Sequence, residues 1–220
     1  MILALMLQQP TVLSDKMENK WSVTATIPAF AGKDPLSQLA KKAITAKMTK
    51  DFRDFMKEVK KDWVPGYESA PYGLESGATR QLGDTLAQSY TISTYRFLGG
   101  AHGVGVTECM NFAMVNGKPK QIKLWDVFNI NKAKGLCELI RVKAKKNPMT
   151  DWLQDTDMKK KLVPSDITQF WVKGKAGCTW EFDPYALGSY ASGPFSFEFS
   201  WAELKPFLKS PNPLKKFITP

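Results

Sequence analysis

Glu181 and Asp183 stand two positions apart in Cys178-Thr-Trp-Glu-Phe-Asp183, a run with the composition of a β-strand. Side chains two apart on a strand share one face, with Cα atoms about 6.5 Å apart. Hydrolysis of a glycosidic bond needs a carboxyl on each side of that bond. Neighbours on one face do not straddle a sugar, so the plain reading of this pair is surface charge on a hairpin. His102, the single histidine, lies in Gly99-Gly100-Ala101-His102-Gly103. Its imidazole can donate, accept or titrate near neutrality, and the glycines admit positive φ and close backbone approach. No serine or cysteine motif accompanies it, as nucleophilic catalysis would require. The glycine spacing is not that of a dinucleotide-binding turn either. The loop therefore reads first as a turn with a hydrogen-bonded histidine and second as a binding surface. A peptidoglycan-modifying hydrolase using Glu181 or Asp183 with His102 is the alternative.

One histidine excludes a multi-histidine metal centre. Cys109, Cys137 and Cys178 have no CxxC spacing, so at most one disulfide and a free thiol are possible, and buried thiols are the simpler expectation. No metal and no cofactor is expected. Trp171, Trp180, Tyr185, Tyr190 and Trp201 could stack on sugar rings, although aromatic residues in strands usually build cores.

These groups are carried by 220 residues with 31 basic and 21 acidic side chains, a formal net charge of +10, and 43% hydrophobic content. Such a composition belongs to a folded chain. The basic excess is concentrated, with nine basic against five acidic side chains in 33–62 and nine against four in 131–161. Faces of this kind favour polyanions, and an ordinary solvated helix face is the plainer explanation. Lys far outnumbers Arg and suits bidentate base recognition poorly, so sequence-specific nucleic-acid binding is not expected. No apolar run approaches the roughly 20 residues of a transmembrane segment.

Several elements must position the candidate groups. Residues 1–10 are apolar, then polar with a proline, and read as the remnant of an export signal. Trp21–Ile27 alternates as a half-buried strand. Asp34-Pro35 supplies a cap and a first-turn proline for a long amphipathic helix ending before Pro65-Gly66. Residues 64–84 read as a connector with strand pieces. Leu86–Leu98 and Val104–Val115 are strand-like, and Asn116-Gly117 turns the second into a strand around Gln121–Leu124. Asn131 is placed as the cap of a helix through about Lys146, followed by a short helix around Asp151–Lys161. Ile167–Lys173 and Cys178–Phe182 flank Gly174–Gly177 as a hairpin. Phe195–Ser200 alternates, Ser200-Trp-Ala-Glu203 is a capping-box pattern, and the tail 209–220 reads as loose. The whole is α+β, with a largely antiparallel sheet covered by the long N-terminal helix and further helices. It divides into a strand and long-helix unit at 11–75 and a C-terminal domain at 76–208.

Three segments carry a family likeness: Tyr95-Arg-Phe-Leu-Gly-Gly-Ala-His-Gly103; then Asn111-Phe, Asn116-Gly-Lys and Ile122-Lys-Leu-Trp-Asp-Val-Phe128; then Phe182-Asp-Pro-Tyr185, Ser189-Tyr-Ala-Ser-Gly193 and Trp201-Ala-Glu-Leu204. Together they resemble the extracellular domain of RsiV-type anti-sigma-V factors, which also accompanies PdaC-type peptidoglycan deacetylases. Trp21 to about Asp62 is similar to the small region preceding that domain, so the resemblance covers about residues 20–208. It implies a secreted, periplasmic or cell-surface module that is not itself the catalyst, since the deacetylases place their chemistry in a separate metal-dependent domain. It further implies a binding or sensing role, with lysozyme as the ligand in the RsiV group. Common lysozymes are strongly basic and a +10 chain would repel them at long range. Peptidoglycan or an acidic wall polymer fits the two Lys-rich segments better. The expected binding surface joins Gly99, Gly100 and His102 to Tyr185 and Tyr190.

Overall fold

An antiparallel hairpin opens the chain, which the computed structural model describes over residues 9–63, 71–154 and 161–218. The export-signal reading of residues 1–10 falls almost wholly outside these, as do most of the connector before residue 71 and the second half of the 151–161 helix. Strand β1 (Thr11–Met17), unforeseen in the sequence, pairs along its length with β2 (Trp21–Ile27). Trp21, Val23, Ala25 and Ile27 point inward as their alternation requires. Helix α1 (Pro35–Asp62) begins where the sequence places it: the Asp34 side chain accepts from the Ser37 N–H and proline occupies the first turn. It forms the crossover that lets β2 pair in parallel with β3 (Tyr72–Gly83).

Strands β3, β4 (Ala87–Phe97), β5 (Val104–Val115) and β6 (Lys118–Ile122) then follow as an antiparallel meander, giving a six-stranded sheet in sequence order. The mixed, mainly antiparallel α+β architecture is the one expected. Two differences have physical causes. The stretch read as connector contains the full strand β3, whose apolar alternation is thin because only Leu74, Ser76 and Ala78 meet α1 while Gly73, Glu75 and Gly77 face away. The Asn116-Gly117 turn forms with both residues at positive φ, but the partner strand starts directly after it at Lys118.

One face of the sheet rests on α1. Leu36, Ala40, Ile44 and Met48 pack on Ile27, Tyr90, Ile92 and Phe112, while Phe55, Met56 and Val59 pack on Trp21, Val23 and Leu74. The outer side of the helix carries exposed Lys41, Lys42, Arg53, Lys57, Lys60 and Lys61, a solvated basic face.

The opposite face is covered over β4–β6 and at the end of β3, where Leu82 joins the second core. There a three-stranded antiparallel sheet, β7 (Phe170–Val172), β8 (Cys178–Phe182) and β9 (Phe195–Phe199), builds a second core with α2 (Leu124–Val127) and α3 (Ala133–Ala144). Trp180 is fully buried among Phe128, Phe170 and Phe199, with its indole N–H donating to the Ile167 carbonyl. A polar clamp sets the stacking of the two sheets. Ser89 Oγ donates to Asn111 and accepts from the Val172 N–H, and Asn111 donates to the Phe170 carbonyl at 2.7 Å. Among the aromatic residues weighed for sugar stacking, Trp180 and Trp201 are thus core residues.

The remaining helices are short. Asn129, not Asn131, caps the turn that leads into α3, because a 3₁₀ turn at Ile130–Lys132 precedes the α-helix. Helix α4 (Asp151–Gln154) follows, and the Ser200–Glu203 capping box opens α5 (Trp201–Leu204) as its pattern requires. The tail read as loose is packed. Leu214 is fully buried, Asn212 donates to the Val127 carbonyl, and Phe217 of α6 (Lys215–Ile218) lies against the second core. All three cysteines are free thiols, with Cys137 and Cys178 in that core.

Candidate binding site

Strand β6 pairs with only the second half of β5, Asn111–Val115, so the first half presents a bare edge. Two side chains flanking the strands of the other sheet close it: Gln169, just before β7, accepts from the Cys109 N–H at 2.8 Å, and Asp183, just after β8, accepts from the Thr107 N–H at 2.7 Å. Asp183 is therefore not a hairpin surface charge. Burial, with the charges of Glu108 and Glu181, raises its carboxyl above the usual range even though the Thr107 N–H works the other way. Glu181 is likewise engaged, accepting from the Trp171 indole at 2.6 Å and from the Ser196 hydroxyl. Among the described residues no hydrogen bond or ion pair joins either carboxylate to His102. Cys109 sits beside them, and burial together with the nearby acids drives its thiol far upward, leaving little thiolate.

The Asp183 bond brings the loop after β8 across to the start of β5. Leu187 anchors it in the core, and Gly188 passes so close to residues 149–151 that a Cβ there would stand 2.8 Å from the Met149 carbonyl. Tyr185 and Tyr190 then meet the 99–103 loop. The His102 and Tyr190 rings stack with centroids 3.8 Å apart and 19° between planes. Tyr185 lies 5.5 Å from Tyr190 and 6.4 Å from His102, and Trp152 of α4 stacks on its other side at 6.5 Å.

One residue, Gly103, organises the cluster. The Gly103 carbonyl accepts from the Tyr190 hydroxyl at 3.0 Å and from His102 Nδ1 at 2.9 Å, and the Gly103 N–H donates to the Tyr95 hydroxyl at 3.1 Å. The bond from His102 places a proton on Nδ1, and in the neutral ring this leaves Nε2 as an acceptor toward Tyr185, whose hydroxyl is 3.4 Å away. Only glycine fits at 103, since an added Cβ would stand 2.3 Å from the Tyr95 ring and 2.6 Å from the Arg96 carbonyl. Gly99 and Gly100, at φ 93° and 94°, turn the loop; a Cβ at Gly99 would lie 3.5 Å from the Tyr72 ring, and one at Gly100 would meet nothing within 4 Å. Tyr185 holds φ 67°, a left-handed conformation that costs a non-glycine residue of order 1–2 kcal/mol. The residue nevertheless stays 45% exposed.

The structure thus unites His102, Tyr185 and Tyr190, which the sequence nominates, and adds Tyr95 and Trp152. Trp152 carries no local signal, because its place follows from the packing of Gly188. Tyr95 belongs to the same quoted segment as His102, and its alternation onto the uncovered sheet face was the available clue. The arrangement offers an exposed aromatic platform with hydroxyl groups and one imidazole, suited to a ligand with flat apolar faces and polar edges.

Two solved structures share this fold. A member of the DUF3298 family from Bacteroides fragilis superposes with a TM-score of 0.60 at 17% identity, over 96% of this chain and 96% of that one. A DUF3298 family protein from Pseudomonas aeruginosa PAO1 gives a TM-score of 0.60 at 15% identity, over 91% of this chain and 94% of the other. At such identities the likeness is one of fold. No family model and no curated protein matches the sequence.

Proposed function

We propose that this chain is a non-catalytic, exported binding module of the cell envelope that takes a wall glycan on the platform of His102, Tyr185, Tyr190 and Trp152. The observation that carries this reading is the strained, exposed Tyr185 held between Trp152 and Tyr190. Pyranose rings have apolar faces that stack on aromatic side chains and hydroxyl rims that match Tyr and His polar atoms. The engagement of Glu181 and Asp183 in structural hydrogen bonds supports binding over hydrolysis. The resemblance to RsiV-type and PdaC-type envelope proteins supports the location. Lysozyme, the ligand implied by the RsiV likeness, is disfavoured by the net charge of +10.

Cosedimentation with purified peptidoglycan sacculi tests the reading. Saturable retention of the wild type, lost in the Tyr185→Ala, Tyr190→Ala double variant, is expected. Folded protein that stays in the supernatant, or that is retained only when lysozyme is attached to the sacculi, overturns it.

A further inference from the structure

The face of the main sheet opposite α1 is covered over β4–β6 but open over β1–β4. Its residues are unusual for a solvated surface on a chain so rich in charge. Ser22, Thr24 and Thr26 of β2 and Ser93 of β4 point outward, with Glu75 the one acid among the residues lining the hollow. The middle strand contributes Gly73 and Gly77 on this side, and a Cβ at Gly77 would meet nothing within 4 Å. Missing side chains on the central strand make a trough, a cleft of about 580 Å³ rather than a convex face.

Tyr95 lines this cleft at its β4 side. The same Tyr95 hydroxyl is bonded to the Gly103 N–H, and the Gly103 carbonyl holds Tyr190 and His102. The trough and the aromatic platform are therefore joined through the backbone of one residue, Gly103. Register lines up two rows across the strands: Thr24, Glu75 and Tyr95 in one, Thr26, Gly77 and Ser93 in the other. Successive members are one strand spacing apart, about 4.8 Å. That spacing is close to the advance of one pyranose along an extended β-1,4-linked chain.

We infer that this trough is an extended subsite in which an uncharged β-linked glycan chain lies across β4, β3 and β2, continuing from the aromatic platform. Its chemistry selects the occupant. A polyanion needs Lys or Arg, which the trough lining lacks, and an apolar peptide needs apolar pockets. Hydroxyl rows with an aromatic at one end match the hydroxyl and amide edges of a neutral sugar polymer. The inference rests on the platform being a glycan site and adds the direction and length of the ligand.

Isothermal titration with an uncharged β-1,4-linked N-acetylglucosamine hexamer and the corresponding dimer separates the two. The variant is Gly77→Val, which fills the trough from a position with open space and ordinary strand geometry, and so should fold with undiminished stability. The hexamer should bind the wild type at least tenfold more tightly than the dimer. Gly77→Val should erase that advantage while leaving dimer affinity unchanged, whereas Tyr185→Ala should weaken both ligands. Equal affinity for hexamer and dimer, or a hexamer affinity indifferent to Gly77→Val, overturns the trough while leaving the platform standing. Failure of both ligands to bind the wild type overturns the trough and the glycan reading together.

Discussion

The ring of His102 lies flat on that of Tyr190, 3.8 Å between centroids, and both side chains hydrogen-bond the carbonyl of Gly103. A stacked pair sharing one acceptor is rigid, because neither ring can rotate without losing both its stacking and its bond. Aromatic pairs of this kind contribute about 0.5–1.5 kcal/mol beyond the area they bury. Preorganisation of this kind would lower the entropy lost on binding a ligand there, as the proposed function requires.

Gly103→Ala should break that arrangement. The added methyl group meets the Tyr95 ring at 2.3 Å and the Arg96 carbonyl at 2.6 Å, and the second of these is backbone. A loss of about 1–3 kcal/mol is expected, as for other overpacked positions. Urea denaturation measures it, and glycan binding should fall in the same variant. A variant as stable as the wild type would show that the Tyr95–Gly103 contact is not close.

Tyr185 separates conformation from contact. Glycine adopts φ 67° freely and alanine does not, so Tyr185→Gly should be more stable than Tyr185→Ala by about 1 kcal/mol. Both variants lack the ring and should lose binding equally. Equal stabilities would remove the argument from strain.

Asp183 should leave a signature in the pH dependence of stability. Its carboxyl is raised in the folded chain by burial and by Glu108 and Glu181, so the folded state holds a proton that the unfolded state releases. For such an acid the contribution is complete below the unfolded pKa and is lost as pH rises through the interval up to the folded one. As pH rises from the ordinary carboxylate value of about 3.9, stability should therefore shift in favour of Asp183→Asn relative to the wild type. Thermal denaturation across that range checks it, and a shift in the opposite direction would contradict the assignment.

Thr179 offers a cleaner test of packing. Its side chain is 1% exposed, and its hydroxyl has no hydrogen-bond partner among the described residues. Replacement by valine removes a buried unsatisfied group at nearly constant shape. Thr179→Val should stabilise the chain by about 1 kcal/mol, seen as a higher Tm. A lower Tm would mean that the hydroxyl is satisfied after all.

Much of this was legible wherever one local rule agreed with the tertiary context. Asp34-Pro35 and Ser200–Glu203 begin helices as their chemistry requires, and Asn116-Gly117 turns a hairpin because both residues accept positive φ. The nomination of His102 with Tyr185 and Tyr190 came from family likeness, since no local pattern links loops more than 80 positions apart. Strand β3 reads only as strand pieces within a connector because glycines at 73, 77 and 83 interrupt its alternation. Asp183 was misjudged because its partner is a backbone N–H on a distant strand edge. Leu214 lies in a proline-rich tail, but it, Phe217 and the Asn212 hydrogen bond together seat that tail against the core.

The most direct measurement is a titration of wild type and Tyr185→Gly with soluble peptidoglycan-derived oligosaccharides, run beside circular dichroism spectra of both proteins. The wild type should bind saturably and the variant at least tenfold more weakly with an unchanged spectrum. Equal affinities for the two folded proteins, or no binding by either, would contradict the platform formed by Tyr185, Tyr190 and His102.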